Sequence, residues 1–153
     1  MIRLALHGGA GDLDALSVDT VAERAALRAI AASGLALLRD GAPSVDVVEH
    51  VVAQLEDCPL FNAGVGAVLN DEGAVELDAA IVDGRGRRYG AVAAVQRARN
   101  PVRLARAVME RTAHVLFAGA AADRLNAELG LDSVDPGFFI TALRRQQLYD
   151  AQT

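Results

Sequence analysis

Lysine and tryptophan are absent from this chain of 153 residues, and cysteine occurs once. All 15 basic side chains are therefore arginines, and 20 acidic side chains outnumber them, which gives a net charge of −5. This balance, without any basic stripe interleaved with aromatic residues, argues against a nucleic-acid-binding protein. Without lysine, a Walker-type phosphate loop cannot form. A single cysteine allows no internal disulfide and favours a reducing compartment, so we expect a cytoplasmic protein.

Long apolar runs are also missing. None reaches the ~18–20 residues that a membrane span needs, and the first residues show no signal-peptide pattern. Yet hydrophobic residues make up 52% of the chain and the mean hydropathy is +0.23, which argues against disorder. The length fits residues 1–153 forming one domain or a part of one. Because so small a domain leaves much of its surface in water, we expect either an unusually complete core or a face covered by a partner.

Apolar spacing and turn residues predict an α+β fold. The chain is predicted to begin with a buried strand at 2–6 and two helices at 17–40 and 44–57. Three antiparallel strands follow at 67–70, 74–82 and 89–96. The last part is predicted to contain a helix from 101 to about 112, a brief strand at 115–117, and helices at 119–129 and 138–149. Candidate N-caps are Ser17 or Asp19, Ser44 and Asn100, and candidate C-caps are Gly41 and Gly130. The order does not alternate strand with helix, so a doubly wound parallel sheet is not expected.

The first strand runs into a glycine-rich segment made of His7, Gly8, Gly9, Ala10 and Gly11. Such a segment lets the backbone approach a ligand closely and can offer free amides to an anion. It lacks the third glycine of a dinucleotide fingerprint. An esterase oxyanion loop would need a G-x-S-x-G elbow, which the sequence does not contain. A plain tight turn is the other interpretation.

The segment from Leu55 to Gly66 is irregular yet rich in apolar residues, so we expect it to be packed. A packed loop must satisfy its own carbonyl groups, and a bound cation, water or neighbouring amides could do so. Cys58 is interpreted as a buried apolar thiol rather than a nucleophile, because no histidine lies near it in sequence. Asn62 could offer its amide to a ligand or could bond its own backbone in a turn.

Other polar residues give weaker signals. Glu76 and Asp78 fall on one face of a predicted strand, which suits paired acid–base work but is also typical of a solvated face. His50 and His114 have no partner at metal-ligand spacing, and structural roles are expected for both. No nucleophile with an activating base is evident, so the chain resembles a scaffold without its own reactive centre.

Taken together, several strings resemble one family, the plant-type asparaginases, also called isoaspartyl peptidases, which are N-terminal-nucleophile hydrolases. The resemblance runs in order through the strings at 7–11, 55–56, 61–70, 76–84, 90–92, 100–102, 104–106 and 108–110, through Thr112 and the string at 114–116, and through Phe139, Thr141 and Arg144. It covers nearly the whole chain.

The resemblance implies the α subunit of a precursor that cuts itself in two. In this family a threonine at the start of the β subunit is the nucleophile and its α-amine the base; it forms an acyl-enzyme with isoaspartyl dipeptides or L-asparagine. The two subunits build a four-layer αββα sandwich, usually as an (αβ)₂ heterotetramer. Here no Gly-Thr-Val follows the arginine-rich helix, so Thr153 does not match the catalytic threonine.

The resemblance also implies site residues. The family's sodium-binding loop, which holds the ion through main-chain carbonyls, matches Leu55, Glu56, Cys58, Phe61, Ala63 and Val65. We therefore expect a structural Na⁺ and no organic cofactor. Asn62 matches an asparagine that lines the active site, and the segment from His7 to Gly11 matches the glycine loop beneath the nucleophile. The alternatives are a glycosylasparaginase-type subunit and a non-catalytic homologue that only binds or stabilises.

Overall fold

The computed structural model describes residues 2–9 and 20–153, which form an α+β arrangement of helices and one small sheet. The helices are α1 (Val21–Arg39), α2 (Ser44–Glu56), α3 (Pro101–Arg111), α4 (Gly119–Glu128) and α5 (Ala142–Gln152), with a 3₁₀ turn at Pro136–Phe139. The strands are β1 (Leu77–Asp83), β2 (Arg88–Val95) and β3 (Leu116–Ala118). In the part of the chain described, no helix is both long and apolar enough to span a bilayer.

The sheet has the order β1-β2-β3, with β2 in the centre. β1 and β2 pair antiparallel and β3 pairs parallel to β2. The ladder is interrupted between Leu77 and Ala79, where the register shifts. There the Asp78 carboxylate accepts a hydrogen bond of 2.8 Å from the Ala94 amide, and Ala94 takes a left-handed φ of 51°. This is a β-bulge closed by a side chain, a feature that redirects side chains at the end of a strand.

The main core lies between the sheet and α3. Val92, Val102, Leu104 and Val108 are fully buried in it, and burying each such side chain contributes roughly 1.5–3 kcal/mol. Gly90 lets α3 approach β2 closely, since a Cβ at that position would overlap the Ala105 carbonyl. The sheet and α3 thus form two firmly packed layers.

A second core joins α1, α2 and the first residues of the chain. Leu4 and Leu6 pack there against Ile30 and Val51. The predicted buried strand at 2–6 is wrong, because this segment forms no strand and its residues are exposed or half-buried. A strand needs a neighbour for its backbone hydrogen bonds, and none of the described strands pairs with it.

The predicted three-stranded meander is also wrong in its first member. Residues 67–70 form no strand, although Asn70 does make a turn. Its backbone N–H donates to the Ala74 carbonyl, and its side-chain Oδ1 accepts a hydrogen bond of 2.9 Å from the Ala74 backbone N–H. The Asn70 side chain thereby accepts the Ala74 hydrogen bond that a neighbouring strand would otherwise accept. The other two strands are confirmed within one to three residues.

Helix ends match the predictions in part. Gly41 and Gly130 have left-handed φ and close α1 and α4, as predicted. Asn100 precedes the first-turn Pro101 of α3, also as predicted, but its side chain makes no capping bond. Ser44 is the first helical residue, and Pro43 stands at the cap position; Ser17 and Asp19 lie outside the described residues.

The last predicted helix begins later than expected. Residues 136–139 form a 3₁₀ turn, and α5 starts at Ala142, capped by the Thr141 hydroxyl, which accepts a hydrogen bond from the Arg144 amide. The apolar pair Phe138 and Phe139 had suggested an earlier start. Phe139 is fully buried, so tertiary packing rather than helical spacing explains its presence.

One face of the sheet is covered and the other is open. The covered face carries Ile81 and Val92, which pack in the α3 core. The strand register places Val82 opposite Tyr89 and Ala91 opposite Leu116 on the other face. Val82, Tyr89 and Leu116 are each more than half exposed. We call this the open sheet face; contiguous exposed apolar residues of this kind mark an interaction surface.

Candidate active-site loop

The irregular segment 57–66, the candidate loop, is closed by a tight backbone contact. It begins where α2 ends at Glu56 and returns to that point, where the Val65 amide donates to the Glu56 carbonyl at 2.7 Å. Gly64 allows this return: its φ is +51°, and a Cβ there would lie 2.8 Å from the Glu56 carbonyl carbon. Only glycine tolerates both the left-handed backbone and the close approach.

The far end of the candidate loop is fastened to the C-terminal segment. The Gly66 amide donates to the Phe139 carbonyl at 2.9 Å, and the Gly66 carbonyl accepts from Nε of Arg144. Gly66 is buried, with a φ of +90°. The loop is therefore closed on its own start at Glu56 and joined at Gly66 to a distant segment, and it is packed as predicted.

The carbonyl groups of the predicted sodium ligands fall into two sets. Those of Leu55, Glu56 and Cys58 accept hydrogen bonds from backbone amides at the end of α2 or within the loop. Those of Phe61, Ala63 and Val65 accept none from the described residues. Neutral, hard oxygen donors without a carboxylate cluster suit a monovalent cation. The donor set thus fits Na⁺, most directly through the second set.

Asn62 lies on the exposed side of the candidate loop. Its Oδ1 accepts a hydrogen bond of 2.9 Å from the Val68 amide, so it does bond the backbone in a turn. Its Nδ2 has no hydrogen bond within the described ranges. Asn62 lines a cleft of about 330 Å³ together with Glu56, Asp78 and Ala80. The cleft is also lined by Leu77 and Ala79 of the edge strand β1, so it places Asn62 beside the sheet edge, where Nδ2 remains available to a ligand.

The glycine segment lies against the same loop. Gly8 packs between Leu27 and Phe61, close enough that a Cβ would be 3.0 Å from each side chain. The Gly9 amide donates to Nδ1 of His7 at 3.3 Å, which gives His7 a structural hydrogen bond. Phe61 thus connects the glycine segment to Asn62, the next residue. Ala10 and Gly11 lie outside the described residues.

The Glu56 side chain is a feature that sequence reasoning missed. It is only 4% exposed, and its Oε1 accepts a hydrogen bond of 2.9 Å from the Val102 amide at the start of α3. Burial raises the pKa of Glu56 to about 7, while the Val102 hydrogen bond opposes the rise. The signal in the sequence was its spacing: Glu56 is three residues after Ala53 and four after Val52, on the inner face of α2.

The Glu56 carboxyl group replaces the missing side-chain cap of α3, which predicts two different mutational effects. We expect Glu56→Ala to destabilise the protein by roughly 1–3 kcal/mol, because it leaves the buried Val102 amide unpaired. Glu56→Gln keeps an acceptor oxygen and removes a buried charge, so we expect it to stay within about 1 kcal/mol of wild type. Thermal unfolding of both variants checks this; equal losses would contradict the capping role.

The carboxylates of Glu76 and Asp78 have different hydrogen-bond partners. Glu76 and Asp78 are both exposed, but Glu76 precedes β1, so the prediction that both lie in one strand is wrong. Glu76 accepts a hydrogen bond from the Asn70 side chain at 3.3 Å, and Asp78 closes the bulge at Ala94. Each therefore has a structural partner of its own, which favours the solvated-face interpretation over a shared acid–base pair.

The histidines have structural surroundings. His50 Nε2 lies 3.4 Å from Oγ of Ser33, but that hydroxyl already donates to the Ile30 carbonyl at 2.9 Å. A hydroxyl whose proton is engaged in its own helix is not activated for attack. His114 packs edge-on against Phe117. In the described part of the chain, no three His, Cys, Asp or Glu side chains are grouped to hold a metal ion.

Cys58 fits its predicted role as an apolar thiol. It is half-buried, which is less than predicted, and packs against the second core. No histidine among the described hydrogen bonds contacts it. The candidate loop thus places its sulfur toward α1 and α2, and Asn62 toward the cleft.

Comparison with known proteins gives a consistent result. The family described as "Asparaginase" matches residues 1–153. The chain is 42% identical over 152 residues to the isoaspartyl peptidase of Escherichia coli (strain K12). The aligned region covers 97% of this chain and 47% of that protein. It is 41% identical to the isoaspartyl peptidase/L-asparaginase of Homo sapiens, over 92% of this chain and 45% of that protein. A probable isoaspartyl peptidase/L-asparaginase 2 of Arabidopsis thaliana is 38% identical over 90% of this chain and 43% of its own length. The chain therefore spans about half the length of the curated relatives it matches.

Proposed function

Because this chain belongs to the asparaginase family, we propose that it is the α-subunit part of an amidohydrolase that cleaves isoaspartyl dipeptides and L-asparagine. The observation that carries the proposal is the match to relatives with these names over nearly the whole chain. The fastened loop and the cleft at Asn62 agree with it.

The catalytic group is assigned to a companion polypeptide. A threonine at its start would attack the side-chain amide or isopeptide carbonyl, with its own α-amine taking the proton. The C–N bond breaks, the amine or ammonia leaves, and water then releases aspartate from the acyl-enzyme. The described residues of this chain supply no activated nucleophile, in agreement with a nucleophile on the companion polypeptide.

The open sheet face is where we expect the companion to pack. Val82, Tyr89 and Leu116 would be covered by a second sheet, giving the four-layer αββα sandwich and, by pairing of two such units, an (αβ)₂ assembly. A half-exposed sheet with free edges is a poor end state in water. A reducing compartment such as the cytoplasm remains the expected location, on the single cysteine.

In this assembly the cleft at Asn62 would face the nucleophile. Its Oδ1 is held by the Val68 amide, so the amide plane is oriented and Nδ2 can donate to the threonine, a water or the substrate carbonyl. The glycine segment would lie beneath the threonine, supported through Phe61. The Phe61, Ala63 and Val65 carbonyls would hold Na⁺, which supplies a fixed positive charge that keeps the loop closed.

The proposal predicts different behaviour of the chain alone and with its companion. We expect the chain expressed alone to be insoluble or to lack a cooperative melt, because the open sheet face stays exposed. Expressed with the companion, it should be soluble and should release aspartate from β-aspartyl dipeptides and ammonia from L-asparagine.

Intact-mass analysis of the active preparation identifies the nucleophile. The expected result is two chains, with a threonine first in the second one. Full activity with no companion fragment would disprove the proposal. Cleavage of sugar-linked asparagine in place of dipeptides would indicate the glycosylasparaginase alternative, and a soluble two-chain complex without hydrolysis would indicate the non-catalytic one.

A further inference from the structure

The backbone of Gly66 is held at both its N–H and its C=O by the C-terminal segment. Its N–H donates to the Phe139 carbonyl at 2.9 Å, and its C=O accepts from Nε of Arg144, which is 78 residues away in sequence. These two groups belong to the successive peptide units on either side of the Gly66 Cα, so neither unit can rotate without losing its hydrogen bond. The orientation of the chain at Gly66 is therefore set by residues outside the loop.

Gly66 lies between the two parts of the site. Val65 precedes it. The Val65 N–H donates to the Glu56 carbonyl, and the Val65 carbonyl is one of the predicted sodium ligands. Val68 follows shortly after it, and its amide is the hydrogen-bond donor to Asn62 Oδ1. A rotation at Gly66 would thus move the Val65 carbonyl and the Val68 amide at the same time.

The Arg144 side chain is itself oriented. Its Nη1 donates to Oε1 of Gln147 at 2.7 Å, and its backbone amide is held by the cap Thr141. Helix α5 buries none of its residues, so core packing does not explain the contact. A second bond, from the Gln152 side chain to the Asp71 carbonyl at 2.9 Å, also ties α5 to the chain that follows the loop.

We propose that Arg144 is a positioning residue, which fixes the peptide unit between Gly66 and Ala67 and, through the Gly66 backbone, sets both the cation affinity of the candidate loop and the orientation of Asn62. The inference rests on the proposed function, since cation binding and hydrolysis at this loop are proposed there. A planar guanidinium donates in fixed directions, whereas a lysine ammonium has the same charge and can donate but is held less rigidly.

The test compares Arg144→Met, Arg144→Lys and the control Arg145→Met in the complete two-chain protein. Arg145 is the next residue on α5 and is exposed, so its variant removes the same charge from the same helix. Three quantities are measured. The first is the NaCl concentration that gives half-maximal thermal stabilisation, at constant ionic strength with choline chloride and without substrate. The others are kcat and KM for a β-aspartyl dipeptide.

For Arg144→Met we expect the half-maximal NaCl concentration to rise and kcat to fall, each by about tenfold, as for other residues that orient a metal ligand. KM should change less than about twofold, and Arg144→Lys should recover part of both losses because it restores a donor. Arg145→Met should match wild type.

Two results would overturn the inference in different ways. If wild type is active and responds to Na⁺ but Arg144→Met equals Arg145→Met in ion midpoint and kcat, Arg144 positions nothing, even if its Tm is lower. If wild type neither hydrolyses the dipeptide nor responds to Na⁺, the proposed function fails and the role of Arg144 fails with it.

Discussion

Replacing Gly64 with alanine is expected to destabilise the protein by about 3 kcal/mol or more, the sum of a left-handed backbone cost and an overpacking cost. Gly64 has a φ of +51°, and an added Cβ would overlap the Glu56 carbonyl. That carbonyl accepts the Val65 hydrogen bond which closes the candidate loop. The loop cannot relieve the overlap without breaking this bond, so activity should be lost together with stability.

Gly119→Ala is the matched control. Gly119 has nearly the same φ, +54°, but no atom within 4 Å of the added Cβ. Its cost should therefore be only the backbone part, about 1–2 kcal/mol. Thermal unfolding of the complete protein measures both, with each kcal/mol lowering Tm by roughly 2–4 °C in a protein of this size. If the two variants lose the same amount, the close approach at Gly64 does not matter.

Removing the Asn62 side chain is expected to lower kcat for the β-aspartyl dipeptide by about a hundredfold, the usual scale for losing one oriented donor at a reacting centre. The fold should survive, because Asn62 is exposed and Asn62→Ala removes a single hydrogen bond, to Val68, worth about 1 kcal/mol. Steady-state kinetics and a thermal melt of the same preparation give the two values.

Asn62→Asp separates the two roles of this side chain. Aspartate keeps an acceptor for the Val68 amide but has no Nδ2 donor. If donation matters, Asn62→Asp should be as slow as Asn62→Ala while melting near wild type. If the side chain only closes a turn, Asn62→Asp should be active, and the activity of Asn62→Ala should fall only in proportion to its stability.

Local signals predicted much of the secondary structure. The pairing of β1 with β2, the Pro101 start of α3 and the glycine ends of α1 and α4 follow from turn residues and short-range spacing, which act within a few positions of the chain. The errors came where a distant group decides the outcome. Residues 2–6 look like a strand, yet the described strands leave them without a ladder, and Phe138 and Phe139 look helical although Phe139 is held by the core.

The candidate site divides in the same way. The sequence pointed to the segment from Leu55 to Gly66, to Asn62 and to the glycine segment, because glycines, proline and an asparagine interrupt an otherwise periodic pattern. It did not reveal that the Glu56 carboxyl caps α3 or that Arg144 holds Gly66. Such contacts join residues about 46 and 78 positions apart, and no local pattern encodes the partner of a buried side chain.

The sequence by itself determined the family, the irregular and packed nature of the candidate loop, and the lack of an evident nucleophile with its base. Tertiary structure alone decided which carbonyls of the loop accept no hydrogen bond from the described residues, where the Asn62 amide is directed, and that one sheet face stays uncovered. The physical reason is that composition and spacing fix what each segment can form locally. Hydrogen-bond partners and buried faces depend on which segments meet in space.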